Sequence, residues 1–189
     1  MDKLKISPLK LSGTYIIETL PFKDDRGVFA RFFCQKEMGN ILLDRQIVNV
    51  NFSKNYKKGA VRGLHYQLSP FAEMKMPRCI KGRVVDVFVD VRKDSPTFLQ
   101  WDSIELSDED MKMLVIPEGF AHGFQSLEDD SELMYLTTQF FSKELERALN
   151  IKDPRLNINL PIEITDMSDR DKSHPFIDNI NFEGIIVKS

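Results

Sequence analysis

The sequence predicts an all-β sandwich or barrel with a few short helices. Three observations carry this reading. Turn signals are frequent: Asp24-Asp25-Arg26-Gly27, Lys57-Lys58-Gly59, Lys81-Gly82, Asp94-Ser95-Pro96 and Pro117-Glu118-Gly119 punctuate the first two thirds of the chain. The stretches between them are rich in Val, Ile and Phe and are of strand length. One run, Arg83 to Arg92, sets Val85, Val87, Val89 and Val91 on one face and Val84, Asp86, Phe88, Asp90 and Arg92 on the other. A helix would spread those valines around its surface, whereas a strand places them on one side.

Taken in chain order, Tyr15-Ile16-Ile17-Glu18-Thr19-Leu20 is apolar and β-branched, the composition of a strand. Gln35 to Leu43 is the first helix candidate, with Glu37 early and Met38, Ile41 and Leu42 spaced for one face. Ser107-Asp108-Glu109-Asp110 reads as a single helical turn, with Ser107 as cap and acids at its start. Ser142 to Glu146 is a third short candidate. After Pro154 the chain is less regular, with Pro161, Pro175 and acid-rich turns, and is expected to lie over the body of the domain. No repeat, low-complexity tract or linker divides the chain. Residues 1–189 therefore read as one domain with an irregular C-terminal extension.

Composition narrows the function. The 189 residues are 42% hydrophobic and 29% charged, which is ordinary globular composition and argues against disorder. The 26 Lys and Arg against 29 Asp and Glu give a formal net charge of -3, so no basic excess exists to hold a nucleic-acid backbone. A local positive pocket for one small phosphorylated ligand is compatible with that balance. No stretch approaches the ~20 apolar residues of a membrane span, and no long apolar run follows Met1-Asp2-Lys3-Leu4-Lys5. Cys34 and Cys79 read as two small residues in a reducing compartment. The expectation is a soluble cytoplasmic protein without membrane or nucleic-acid partners.

Only three histidines occur. His65 lies in Val61-Arg62-Gly63-Leu64-His65-Tyr66-Gln67, where an arginine three residues away puts a fixed charge and a base in one neighbourhood. His122 lies in Pro117-Glu118-Gly119-Phe120-Ala121-His122-Gly123-Phe124, a compact corner into a strand. His174, in the irregular tail, is given no role and reads as surface. Pro-x-Gly-x-x-His is similar to the second motif of the cupin superfamily, many of whose members bind a metal. The first motif would supply His-x-His, and here His65-Tyr66-Gln67 lacks the second histidine. Glu73 is a stand-in ligand, but Lys75 two residues on is poor company for a cation. No metal and no other cofactor is expected.

The chain resembles the dTDP-4-dehydrorhamnose 3,5-epimerase family, metal-independent members of the cupin superfamily with a jelly-roll fold. The resemblance runs from about Asp24 to Asp171. It rests on Asp25-Arg26-Gly27-Val28-Phe29, Asn51-Phe52-Ser53, Arg62-Gly63-Leu64-His65-Tyr66-Gln67, Lys75, Gly119-Phe120-Ala121-His122-Gly123-Phe124, Tyr135 and Ser168-Asp169-Arg170-Asp171. It implies inversion at C3 and C5 of a nucleotide-linked 4-keto-6-deoxy sugar through an enolate. His65 matches the family's base, Asp171 its dyad partner and Tyr135 the acid on the opposite face. Lys75 matches the cation on the enolate oxygen and His122 a hydrogen-bonding neighbour of that oxygen. Arg26 and Arg62 match diphosphate positions, and Phe29 and Asn51 nucleotide-pocket positions. The resemblance also implies a homodimer in which strands extend across the two subunits, a part for which Tyr15 to Leu20 is the candidate.

Departures cluster where the nucleotide would bind. Arg31 stands where the dTDP-rhamnose enzymes usually carry a Glu, Asn49 where they carry a Gln, Phe140-Phe141 where they carry a Tyr pair, and Leu160-Pro161 where they carry Trp-Pro. A guanine edge offers acceptors to an arginine. Arg31, Asn49, Gln67 and Phe141 are therefore read with Arg26, Phe29, Asn51 and Arg62 as substrate-binding. The substrate is read as a GDP-linked 4-keto heptose of capsular polysaccharide synthesis or dTDP-4-keto-6-deoxyglucose. Alternatives that stay open are a C3-only epimerase, a metal-dependent cupin using His65, Glu73 and His122, and a non-catalytic sugar-binding module.

Overall fold

The computed structural model describes residues 3–187. Met1 and Asp2, the first residues of the N-terminal stretch Met1-Asp2-Lys3-Leu4-Lys5, lie outside the described residues, as do Lys188 and Ser189. Fourteen strands dominate among the described residues: β1 (Leu4–Pro8), β2 (Tyr15–Thr19), β3 (Phe22–Asp24), β4 (Gly27–Phe29), β5 (Asn49–Asn55), β6 (Ala60–Gln67) and β7 (Lys75–Lys81). They continue with β8 (Arg83–Asp90), β9 (Trp101–Ser107), β10 (Lys112–Val115), β11 (Phe120–Ser126), β12 (Ser131–Thr137), β13 (Glu146–Ala148) and β14 (Asp166–Met167). The helices are α1 (Gly39–Leu42), α2 (Asp169–Ser173) and a 3-10 turn at Ile177–Asn179. No helix of the described residues is long and apolar enough to cross a membrane.

One layer runs β13-β6-β11-β8-β9, with β14 parallel beside β6. The facing layer is built from β5-β12-β7 and β1-β2-β10. Lys75 and Ile116 exchange both backbone hydrogen bonds, at 2.8 and 2.9 Å, and join these two sheets edge to edge. Val84, Phe88, Phe120, Phe124, Leu114, Ile116 and Leu133 fill the space between the layers. This is the all-β sandwich that the alternation predicts.

Strand β8 shows why its sequence is apolar on both faces. Val87, Val89 and Val91 pack under Leu149, Ile151, Leu156, Ile177 and Ile185, so the C-terminal tail does cover the outer face of its sheet. The Trp101 indole fixes it there by donating to Leu156 O at 2.8 Å. The opposite face of β8 looks into the sandwich, where Val84 and Phe88 join the core and Asp86 and Asp90 are completely buried.

Three helix expectations are corrected. The first helix spans only Gly39–Leu42, entered by a turn in which Met38 N–H donates to Cys34 O; Met38, Ile41 and Leu42 are buried as their spacing predicts. Ser107 Oγ does cap Asp110 N–H at 3.1 Å, but the chain turns straight into β10 through Met111 at φ 51°. Ser142 to Glu146 makes one turn closed on Ser142 O, and Glu146 then pairs with Gln67 as the first residue of β13. A fourth correction concerns Tyr15–Leu20. Strand β2 sits between β1 and β10, so its backbone is already paired on both sides and is not an edge for a second subunit.

Candidate active site

A cavity of about 650 Å³ opens between the two layers, within the ~300–1,000 Å³ usual for small-molecule sites. From one layer come Arg62 and His65 on β6 and His122 on β11; from the other come Lys75 on β7 and Tyr135 on β12. His65 and His122 are direct cross-strand partners, so their side chains share a face. Arg62 and His65 are three residues apart and in a regular strand would point to opposite faces. A register shift between His122 and Phe124 resets the alternation and brings both into the cavity.

Glycines make that shift possible. Gly63 has φ +115°, and a Cβ there would stand 2.4 Å from Gly123 Cα and 2.7 Å from His122 O. A Cβ on Gly123 would in turn meet Arg62 O at 2.5 Å.

His65 Nε2 lies 2.7 Å from Asp171 Oδ1. The carboxylate is delivered by α2, whose first turn is capped by Ser168 Oγ accepting from Asp171 N–H at 3.0 Å. Burial disfavours the Asp171 charge, but hydrogen bonds from His65, Ser168 and the Gly63 N–H outweigh it and hold the group below its ordinary range. The dyad therefore keeps its anion at neutral pH. Its partners are 106 residues apart in sequence.

Lys75 is buried, with Nζ donating to His65 O at 3.0 Å and 3.5 Å from Glu73 Oε1. Burial raises the Glu73 carboxyl, and Lys75 offsets part of that rise. The Tyr135 phenol is likewise pushed up, first by burial and then by the negative charge of Glu73, with Arg62 opposing. A raised phenol stays protonated, the state an acid requires. Behind His122 lies Asp86, whose Oδ1 is 2.7 Å from His122 Nε2 but out of line for a directed hydrogen bond. Burial pushes the Asp86 carboxyl up against the pull of His122 and Lys75.

Lys54, Lys57, Arg62, Lys75 and Arg170 line the cavity against Asp166 and Asp171. Among the described residues Arg62 has no carboxylate partner; its Nε donates to the neutral Asn55 Oδ1 at 2.6 Å. A locally cationic cavity inside a protein of net charge -3 suits an anionic ligand.

Residues 8–179 match the dTDP-4-dehydrorhamnose 3,5-epimerase family. The enzyme of that name from Shigella flexneri is 41% identical over 177 residues, covering 93% of this chain and 97% of the relative. The chain belongs to the dTDP-4-dehydrorhamnose 3,5-epimerase family. Among solved structures similar to it is the family enzyme of Legionella pneumophila in complex with dTDP-4-keto-L-rhamnose. The TM-score is 0.90 at 33% identity, covering 98% of this chain and 100% of that one. A 3'-monoepimerase from Streptomyces bikiniensis, in complex with dTDP-quinovose, superposes with TM-score 0.85 at 30% identity, covering 93% and 91%.

Within this epimerase-family fold the remaining sequence-derived candidates divide. Arg62, His65, Lys75, His122, Tyr135 and Asp171 all line the cavity. Asn51 is the direct neighbour of Tyr135, and Asn49 and Asn51 share a face of β5 with the cavity residues Ser53 and Asn55 but do not themselves line the cavity; Asn49 Nδ2 is taken by Thr137 and Gln139. Gln67 does not line the cavity. Its amide accepts from Ser142 N–H at 2.6 Å and donates to Phe71 O and Phe140 O, so it tethers the loop that carries Phe140 and Phe141. Phe141 itself is exposed outside the cavity. Arg26 and Phe29 stand on the exposed β3–β4 hairpin, away from the cavity of their own chain. Arg31 donates to Glu37 Oε1 at 2.7 Å and also lies outside the cavity of its own chain.

Three neighbours were missed. Asp86 lies on the mixed face Val84-Asp86-Phe88-Asp90-Arg92, and its place behind His122 is set by the β8–β11 pairing. Glu73 was considered only as a metal ligand, whereas it sits against Lys75. His174, read as surface, is half-buried, with Nε2 3.9 Å from the Asp171 carboxylate. Burial, the largest influence, holds the His174 imidazole below its usual range.

Proposed function

We propose that this protein is an isomerase that inverts C3 and C5 of a dTDP-linked 4-keto-6-deoxy sugar by acid–base chemistry between the two walls of its cavity. The observation that carries this is the division of labour across the sandwich: His65, backed by Asp171, comes from one sheet, and Tyr135 and Lys75 come from the other. A C–H bond beside the C4 carbonyl is acidic because the carbanion delocalises onto the oxygen. His65 Nε2 faces Asp171, which leaves Nδ1 as the lone pair that takes the proton. Asp171 orients the ring and stabilises the imidazolium, the role an aspartate plays behind other catalytic histidines. Lys75 and His122 stabilise the developing enolate oxygen. Tyr135 returns a proton from the far side, and the centre is inverted.

Arg62 supplies the free cation for the diphosphate, and Lys54 and Lys57 add to the field at that end of the cavity. The match to the dTDP-sugar epimerase family supports thymine over guanine as the base, with Arg31 bonded to Glu37 outside the cavity of its own chain.

The functional unit is proposed to be a homodimer. Phe22, Val28 and Phe29 on the β3–β4 hairpin and Val50 and Phe52 on the edge strand β5 are each at least half exposed. Apolar residues grouped on an unpaired edge mark an interaction surface. Dimerisation would also give the exposed Arg26 and Phe29 a partner surface to act on.

The test is incubation in D₂O with dTDP-4-keto-6-deoxyglucose and, separately, a GDP-linked 4-keto-6-deoxyheptose, read by NMR. Deuterium at both C3 and C5 of the dTDP sugar alone supports the reading. Uptake at C3 alone would make the protein a monoepimerase. Uptake from the GDP sugar alone would overturn the nucleotide, and no uptake from either would overturn the activity.

A further inference from the structure

Asp171 and His174 lie three residues apart at the end of α2, close enough to share a face. His174 is held there from behind: the buried Asn150 amide donates to His174 O at 2.8 Å and to Lys172 O at 3.3 Å. The His174 ring meets His65 edge-on, with centroids 6.5 Å apart at 78°. Its Nε2 is buried, lacks a hydrogen-bond partner among the described residues and is 3.9 Å from Asp171 Oδ1. One ligand atom from each of His65, Asp171 and His174 lies within 4.8 Å of the others.

We infer that His65, Asp171 and His174 form an inhibitory site for a borderline-soft divalent cation of the zinc class, distinct from any ion required for turnover. Two imidazoles and a carboxylate are a donor set such ions prefer, with bonds of ~2.0–2.2 Å and an open fourth position. Those bonds place tetrahedral ligands about 3.3 Å apart. The observed separations of 2.7 Å (His65 to Asp171) and 3.9 Å (His174 to Asp171) straddle that value, and the third, His65 to His174, lies within 4.8 Å, so side-chain adjustment rather than backbone rearrangement is what the site requires. The fourth position opens to the cavity, which His65 and Asp171 line. Of the neighbouring cations, Lys75 lies beside Glu73 and Arg170 is bonded to Glu146, while Arg62 is held by the neutral Asn55.

The effect on catalysis follows from the ring chemistry and rests on His65 being the base. Coordination through Nε2 leaves the neutral imidazole's proton on Nδ1. That nitrogen then has no lone pair with which to accept a proton from carbon, and the ion also occupies Asp171. His174 takes no part in the uninhibited reaction.

The experiment uses the full chain, purified with chelator and exchanged into metal-free buffer. Titration with Zn²⁺ alone is followed by calorimetry, and Co²⁺ by its visible absorption bands. One ion per chain is expected, with tetrahedral-type Co²⁺ bands and inhibition competitive with the sugar nucleotide. Removing a direct ligand costs at least the ~10–100-fold that loss of an outer-shell partner does. His174→Ala should therefore weaken both binding and inhibition about tenfold or more while leaving the zinc-free rate unchanged, and His174→Gln should do the same should the alanine variant fold poorly. Absence of binding with zinc in large excess, or unchanged binding in both variants, would overturn the inference. The calorimetry and Co²⁺ spectra decide the site even for a protein inactive on every donor, so failure of the epimerase reading is separately visible.

Discussion

Asp171→Asn removes one charge and almost nothing else. The amide keeps an oxygen for His65, and the helix cap survives because Ser168 Oγ accepts from the backbone N–H of residue 171. What is lost is the anion facing the imidazolium that forms when His65 takes its proton. A 2.7 Å contact between Nε2 and Oδ1 puts the two delocalised charges about 4 Å apart, which at an effective dielectric near 20 is about 4 kcal/mol. Both side chains are under one third exposed, at 29% and 5%, so solvent screening removes only part of it. The expected loss in kcat is about 10³-fold, within the ~10²–10⁴ range of a positioned acid or base. Asp171 touches the base rather than the reacting carbon, so KM should move little. Deuterium wash-in at C3 and C5 gives kcat, and thermal unfolding verifies the fold. A correctly folded Asp171→Asn protein retaining kcat within about tenfold of the parent would refute the dyad.

Four further outcomes follow. The alkaline limb of the kcat profile should lie above the ordinary phenol value of about 10, because burial and Glu73 both raise Tyr135; Glu73→Gln removes the second cause and should shift that limb to lower pH. Gly63→Ala forces a Cβ into the Gly123 backbone at a positive φ and should cost about 2–3 kcal/mol, a fall in Tm of about 4–12 °C by calorimetry. Gln67→Leu should lower stability by about 2–4 kcal/mol in urea unfolding, since it strands Phe71 O, Phe140 O and Ser142 N–H; unchanged stability with raised KM would instead make Gln67 a substrate contact. Burial pushes the Cys79 thiol up to about 11, so alkylation at pH 8 should label the partly exposed Cys34 and spare Cys79 until the protein unfolds.

Much of this architecture is written locally. The alternation of Arg83 to Arg92 announces a strand, and turn residues mark its neighbours. The cavity residues were legible by a different route. His65 and His122 stand out as rare titratable groups in glycine-flanked strand entries, but Asp171 and Tyr135 joined them only through family resemblance. Nothing local ties a tail aspartate to a strand histidine 106 residues earlier. What stayed hidden was set by tertiary partners. Ser142 to Glu146 has helical spacing, yet Glu146 is captured by the edge of β6. Tyr15–Leu20 reads as an interface strand until β1 and β10 are seen on both sides of it. Gln67 reads as a substrate contact until three backbone groups of two loops take its amide. His174 looks like surface because its burial depends on a tail that folds back onto β6.

The claim at the centre of the account is that abstraction and reprotonation occur from opposite walls. Tyr135→Phe tests it most directly, because it removes the proton of one wall and leaves His65, Asp171 and Lys75 in place. The measurement compares two rates in D₂O on the same substrate: deuterium entry at C3 and C5, and inversion of those centres. The account predicts that exchange continues with retention, as His65 returns a solvent-derived deuteron to the face it came from, while inversion falls by about 10²–10⁴. Inversion persisting at the parent rate, or exchange collapsing in step with inversion, would contradict it.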